Sequence, residues 1–218
     1  MRVLELFAGT CSFSSVARDR GHETMTSDIE PGFDTDYCVD IMEFDPPQVP
    51  WTPDVIWASP PCETFSVASI SHNWTGGVGA YIPKNARAQA GIDRVLKTIE
   101  IIKTLQPRFW FIENPRGVLR KMPFMHGFVR HSVSYCQYGD TRMKPTDIWS
   151  NVAWDVRPMC RNGDPCHEAA PRGAKTGTQG IKGYRDRSVV PRELCEALII
   201  QCEDAGRSLI TPTTEGEK

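Results

Sequence analysis

Two side chains in this sequence are set to do nucleophile and acid chemistry. Cys62 follows Pro60 and Pro61 at the end of the mostly apolar stretch Asp54–Ala58. A thiol held after a strand and before a loop and helix can act as a nucleophile, and the two prolines fix the backbone leading to it. Glu113 ends the next apolar stretch, Phe109-Trp110-Phe111-Ile112. A carboxyl beside a thiol in a partly desolvated pocket can hold a proton and donate it. Each residue also has a plainer reading: one cysteine among eight is often apolar filler, and Glu113 could serve as a helix N-terminal acid. A third group lies nearer the start. Phe7-Ala8-Gly9-Thr10 joins a strand to a helix through small residues that let a ligand approach the backbone. Asp28, about 20 residues further on, suits ribose hydroxyls, and Asp40 can accept from an adenine amino group. Together they read as an adenosine-type pocket. Cys11 and Ser12 stand where the dinucleotide fingerprint has glycines, which argues against a dinucleotide; a plain turn with solvated acids is the alternative.

These residues need elements to hold them. Residues 2–7 read as a strand, Phe13–Arg20 as a helix stopped by Gly21, and Glu23–Ser27 as a second strand. Asp36–Val39 is a brief third strand. Residues 45–53, with four prolines, are a loop. Asp54–Ala58 is the fourth strand, and 63–86 reads as a long loop, of a length that is usually functional or mobile. Ile92, Val95, Leu96, Ile99, Ile102 and Leu105 have helical spacing within Arg87–Leu105. Phe109–Ile112 is the fifth strand, His131–Gln137 another, and Pro191–Glu203 the last helix. Strands alternating with helices predict an α/β fold with a doubly wound, mostly parallel sheet and a small irregular basic insertion. In such sheets ligands sit at the carboxyl ends of the strands, where the residues above stand.

Composition agrees. The chain has 218 residues, 40% hydrophobic and 24% charged, as in globular proteins. No apolar run approaches the roughly 20 residues that span a bilayer, and Glu5 interrupts the N-terminal apolar run where a signal peptide needs it unbroken. The expectation is a cytoplasmic protein, with no membrane association and reduced thiols. Residues 1–60 carry eleven acids against three bases, and the remainder 22 bases against 16 acids. An acidic first part and a basic second part fit a small-molecule pocket joined to a polyanion-binding half; scattered surface charge is the alternative.

The motifs together resemble those of the DNA cytosine-5 methyltransferases, in their compact phage or prophage form. Leu4-Glu5-Leu6-Phe7-Ala8-Gly9-Thr10-Cys11-Ser12-Phe13-Ser14 is similar to the first motif of that family. Ser59-Pro60-Pro61-Cys62-Glu63-Thr64-Phe65-Ser66 resembles its Pro-Cys motif, and Phe111-Ile112-Glu113-Asn114-Pro115 its Glu-Asn motif. Tyr138-Gly139-Asp140-Thr141-Arg142-Met143-Lys144 resembles its basic motif, and Arg187-Ser188-Val189-Val190-Pro191 its last. The resemblance implies a Rossmann-like fold that binds S-adenosylmethionine, with Phe7, Ala8, Gly9, Thr10, Asp28, Ile29, Asp40, Ile41 and Pro60 at the cofactor. It implies that Cys62 adds to carbon 6 of a flipped-out cytosine in double-stranded DNA while Glu113 protonates ring nitrogen 3. Arg142 would touch the base or its phosphate, and Ser66, Lys144, Arg172, Lys175 and Arg185 would contact DNA. It further implies a catalytic part over 1–150 and 187–205, target recognition over 151–186 and a frayed tail over 206–218, with no obligate protein partner. Departures include Pro115 for an aliphatic residue, Lys144 for a second arginine, and Asp186-Arg187 for Gly-Asn.

Residues 151–187 carry seven Lys and Arg and repeated glycines, a composition that can follow a phosphate backbone. Cys160, Cys166 and His167 fall in this stretch, and Cys136 precedes it. They admit two readings, a zinc site that staples a small segment or unliganded thiols; the spacing is not that of a standard finger. Three other functions compete: a binding-only homologue, transfer of another group or to RNA, and amino-methylation. The last lacks support, since Cys62 stands where those enzymes carry an aromatic.

Overall fold

The computed structural model describes residues 1–77, 81–169 and 183–208. Its first part runs β1 (Arg2–Leu6), α1 (Ser12–Asp19), β2 (Glu23–Asp28), β3 (Tyr37–Cys38) and β4 (Val55–Ala58). Then come α2 (Ile70–Asn73), β5 (Trp74–Gly76), β6 (Tyr81–Pro83), α3 (Ala86–Leu105) and β7 (Phe109–Pro115). Strands β8 (Val129–Ser134) and β9 (Pro145–Ser150) precede α4 (Tyr184–Ser188) and α5 (Arg192–Ser208). The main sheet has the order β3-β2-β1-β4-β7-β9-β8. The five strands from β3 to β7 are parallel, and β9 runs antiparallel to both β7 and β8. This is the α/β, Rossmann-like arrangement expected. Chain order reverses between β1 and β4, so the crevice for a ligand opens there.

Strand periodicity divides the core into two layers. Leu4, Leu6, Ile56, Ala58, Trp110 and Ile112 point to one face and pack with Val95, Ile99 and Ile102 of α3. Val3, Val55, Trp57, Phe109 and Phe111 point to the other and pack with Phe13 and Val16 of α1 and Leu194 and Leu198 of α5. Phe13 stacks on Trp57 with centroids 4.8 Å apart. Strands apolar on both faces mark a sheet covered on both sides.

Glu5 breaks this pattern, buried on the α1 face. Its carboxylate accepts from the backbone N–H groups of Phe13 (3.2 Å) and Ser14 (2.7 Å) and from the Ser14 hydroxyl. Cys11, the N-cap residue, supplies no side-chain cap, so the carboxylate of β1 satisfies the orphan donors of α1. Burial raises the Glu5 pKa to about 6, against the hydrogen bonds from Ser14 and Phe13. The folded state therefore holds this proton more tightly than the unfolded chain. Its stabilisation is complete below about pH 4.5 and falls by about 2 kcal/mol as pH rises through 6. Urea unfolding of wild type and Glu5→Gln at pH 4 and pH 7 reads this directly: relative to wild type, the variant gains about that amount across the interval. A difference that does not change with pH would contradict the assignment.

The structure departs from the sequence expectations in several places. Residues 63–86 are not one open loop. They hold α2 and the hairpin β5–β6, with Thr75 opposite Ile82. Trp74 is buried, stacks on Phe65 and donates its indole N–H to the Thr64 carbonyl at 2.6 Å. β9 has no counterpart among the expected strands, because Thr146 and Asp147 interrupt its apolar run. Both are buried, and Asp147 accepts from Arg120 (2.6 and 2.8 Å) and Ser132 (2.6 Å), so its polarity is satisfied inside. β8 ends at Ser134, and residues 135–138 form a 3-10 turn rather than more strand. β7 continues through Glu113 and Asn114 to Pro115. α5 runs on through Gly206 to Ser208, beyond the expected start of the tail; 209–218 lie outside the described residues. Among the described residues, no helix is long and apolar enough to cross a membrane.

Candidate active site

The turn after β1 is built from left-handed residues. Phe7 (φ 56°), Gly9 (φ 48°) and Cys11 (φ 55°) all have positive φ. Such a conformation costs a residue with a Cβ about 1–2 kcal/mol, which marks the loop as shaped for a purpose other than stability. Asp28, at the end of β2, accepts from the Gly9 N–H (2.9 Å) and the Glu30 N–H (2.9 Å). A carboxylate has about four acceptor positions, so those left over remain for a ribose diol. Ile29 beside it is 58% exposed, an apolar face left open among the described residues. Asp40 caps the 3-10 turn that begins with the buried Ile41, accepting from the Met42 N–H at 3.0 Å. An acidic residue, an exposed aliphatic shelf and a tight turn at adjoining parallel strand ends fit an adenosine moiety. Arg185, expected at DNA, donates to the Gly32 carbonyl (3.3 Å) and lies over the Phe33 ring (4.5 Å), close to this loop.

One strand over, β4 delivers Pro60, Pro61 and Cys62. Phe65 and Ser66 donate their N–H groups back to the Cys62 carbonyl, turning the chain sharply past the thiol. Asn114 of β7 donates to the Pro60 carbonyl at 2.8 Å and ties the two strand ends together. Glu113, beside it, is buried and accepts from the Tyr135 hydroxyl at 2.9 Å. Burial pushes the Cys62 thiol pKa up, the Glu113 charge adds to this, and Lys144 opposes it. Cys62, Glu113 and Lys144 are thus within electrostatic reach of one another. Tyr135 is also held as a neutral phenol, first by burial and then by Glu113.

Residues 1–123 match the family described as C-5 cytosine-specific DNA methylase. A protein of Frog virus 3 (isolate Goorha), named "Probable DNA (cytosine-5)-methyltransferase", is 33% identical over 170 residues, covering 76% of this chain and 78% of that one. The chain belongs to the C-5 cytosine-specific DNA methylase family. By family it is a methyltransferase. Among solved structures, an E. coli protein described as "putative DNA modification methyltransferase encoded within prophage" aligns with a TM-score of 0.49 and 16% identity over 69% of this chain and 46% of that one. A Spodoptera frugiperda DNMT2 mutant aligns with a TM-score of 0.47 and 18% identity over 75% and 57%. The chain spans about half the length of these solved structures.

The basic motif of the methyltransferase is arranged differently from expectation. Arg142, expected at the base or its phosphate, is only 4% exposed. Its Nε and Nη2 bond Asp140, and its Nη1 and Nη2 bond the carbonyls of Asp186, Arg187 and Val189. All five N–H donors of a guanidinium are thereby used. Arg142 is a positioning residue that fastens the chain near α4 to the turn after β8. Lys144 lies close enough to Cys62 for its charge to favour the thiolate. Its Nζ lies 4.4 Å from the centre of the Tyr135 ring and bonds the Arg187 carbonyl at 3.2 Å. Ser66 is half-buried and bonds the Ser69 hydroxyl at 3.2 Å. Arg172 and Lys175 lie outside the described residues.

Sequence reasoning misses Tyr135 and Gly117. A phenol several residues ahead of the basic motif's arginine carries no pattern of its own. Gly117 is needed for a close approach: Val118 donates to the Phe65 carbonyl at 2.8 Å, and a Cβ on Gly117 would collide with that same oxygen. Alanine there must displace the turn that carries Cys62. We expect Gly117→Ala to lower the methyl-transfer rate about 100-fold, as misplacement of a reacting group by an ångström does. Cofactor affinity, measured by titration, should hold. A fully active variant would show that the turn has slack.

Proposed function

We propose that this methyltransferase transfers a methyl group to carbon 5 of a cytosine in double-stranded DNA, through a covalent adduct at Cys62. The observation that carries the reading is the placing of a thiol and a buried carboxyl at neighbouring strand ends, Cys62 after β4 and Glu113 on β7. S-adenosylmethionine supplies an electrophilic methyl group when bound. Phe7, Ala8, Gly9, Thr10, Asp28, Ile29, Asp40, Ile41 and Pro60 would hold it at the crevice between β1 and β4.

The remaining work falls to the chain's own side chains. Cys62 loses its proton, with Lys144 stabilising the thiolate, and its sulfur bonds carbon 6 of the ring. Glu113, oriented by the Tyr135 hydroxyl, takes up a proton as the ring displaces solvent and passes it to ring nitrogen 3, so the electron pair of the former double bond collects at carbon 5. Carbon 5 takes the methyl group. A base then removes the carbon 5 proton, the carbon–sulfur bond breaks to return the Cys62 thiolate, and ring nitrogen 3 gives its proton back to Glu113. Both ring faces must be open for this, so the cytosine leaves the duplex stack. Lys144 would meet the negative charge of the target, with Ser66, Arg172, Lys175 and Arg185 as further DNA contacts and 151–186 as the segment that selects the site.

The direct test supplies the full chain with methyl-labelled S-adenosylmethionine and duplex DNA, single-stranded DNA or RNA, then digests to nucleosides for mass spectrometry. Label in 5-methylcytosine from duplex DNA is the expected outcome. Label at the exocyclic nitrogen, or only in RNA, would overturn the reading.

A further inference from the structure

Three thiols and one imidazole converge on a point that the proposed chemistry does not use. Cys136 sits on the turn after β8, while Cys160, Cys166 and His167 come from residues 151–169, a stretch without helix or strand. The Sγ atoms of Cys136 and Cys160 are 3.3 Å apart, and those of Cys166 and Cys136 are 3.6 Å apart. His167 Nδ1 lies 3.5 Å from Cys160 Sγ and 3.6 Å from Cys166 Sγ. All four ligand atoms fall within 4.8 Å of one another. A tetrahedral zinc with ordinary bond lengths requires edges of about 3.8 Å between sulfurs and about 3.5 Å between sulfur and nitrogen. The two sulfur–nitrogen edges match that figure, and the two sulfur–sulfur edges need only widen by about 0.2 and 0.5 Å to admit the ion.

We propose that Cys136, Cys160, Cys166 and His167 form a structural zinc site. Three sulfurs and one imidazole in tetrahedral array select zinc over magnesium, calcium or manganese, which prefer oxygen. Binding releases the thiol protons to solvent, and neutral His167 coordinates through Nδ1. Neighbouring donors complete the surroundings: Gln137 donates to Cys166 Sγ at 3.3 Å, and the Cys160 N–H is fixed by Ser134 Oγ at 3.2 Å. All four ligand positions are closed by protein, as in a structural rather than a catalytic centre. Residues 151–169 contain no helix or strand, and a metal would add a crosslink that secondary structure does not supply there. The site also bears on the reaction through position. Cys136 follows Tyr135, which orients Glu113, and the other three ligands stand just before 170–182, which carry Arg172 and Lys175. The zinc would clamp the approach to that basic stretch onto the turn that supports the acid. The proposal does not rest on the reaction assigned above.

The test uses the full chain, purified and dialysed against metal-free buffer. Elemental analysis is expected to find about one zinc per chain, released by a mercurial reagent to a colorimetric chelator. Cys160→Ser and His167→Ala should retain less than about a tenth of this, while His167→Cys and the control Cys38→Ser keep it. Protein grown with cobalt should show the visible bands of a tetrahedral thiolate complex, a reading on the wild-type chain that needs no variant to fold. Wild type without zinc and without those bands, zinc undiminished in Cys160→Ser, or a Cys136–Cys160 disulfide in the intact mass would each overturn the site.

Discussion

Replacing Cys62 by serine is expected to lower the methyl-transfer rate by at least about 10⁴-fold while S-adenosylmethionine and DNA affinities change little. The expectation follows from what the side chain touches. Cys62 lies on the turn fixed by the Phe65 and Ser66 N–H groups and by the bond from Asn114 to Pro60, all of which are backbone contacts that serine preserves. Only the nucleophile changes. A hydroxyl is far harder to ionise than a thiol, and Lys144 cannot offset that difference. Single-turnover methyl transfer separates the step from binding. A loss of cofactor affinity that matches the loss of rate would mean that Cys62 supports the pocket rather than the chemistry.

The second large effect is expected at Glu113. Glutamine keeps an oxygen to accept from Tyr135, so the buried network stays satisfied, but it has no acidic proton to give. Glu113→Gln should therefore lower kcat by about 10²–10⁴-fold. Its melting temperature should stay near wild type, because no buried partner is orphaned. Turnover at wild-type rate would remove Glu113 from the proton path and leave it a structural acid. A variant that fails to fold would show instead that the Tyr135 bond needs the carboxyl for stability, a result that thermal unfolding distinguishes at once.

Both residues are legible in the sequence because of how an α/β sheet is built. Apolar stretches such as Asp54–Ala58 and Phe109–Ile112 can only be central strands, and their ends must lie on one edge. Pro60 and Pro61 mark where the ladder stops, so the thiol after them falls at that edge. The layers on either side follow from the same alternation. Other features need the third dimension. β9 is hidden in the sequence because Asp147 is polar, and only its pairing with Arg120 shows why a buried strand tolerates it. The basic motif suggests a substrate contact for Arg142, yet its donors are consumed by Asp140 and three backbone carbonyls, which no local pattern reveals. The hairpin β5–β6 hides in a run of Gly, Ser and Asn because its anchors, Trp74 and Tyr81, are two aromatics without a strand-like alternation around them. Cys136 meets Cys160 only through the placing of β8 and the turn after it.

The central claim is that Cys62 becomes covalently attached to the target ring. The most direct measurement mixes the full chain with S-adenosylmethionine and duplex DNA containing 5-fluorocytosine in many sequence contexts, then denatures the mixture and resolves it on a gel. Fluorine at carbon 5 cannot leave as a proton does, so the adduct cannot break down. The account predicts a protein–DNA band that survives denaturation, requires S-adenosylmethionine, carries the DNA on the Cys62 peptide and is absent in Cys62→Ser. Methyl transfer to ordinary duplex DNA without any such band would contradict it.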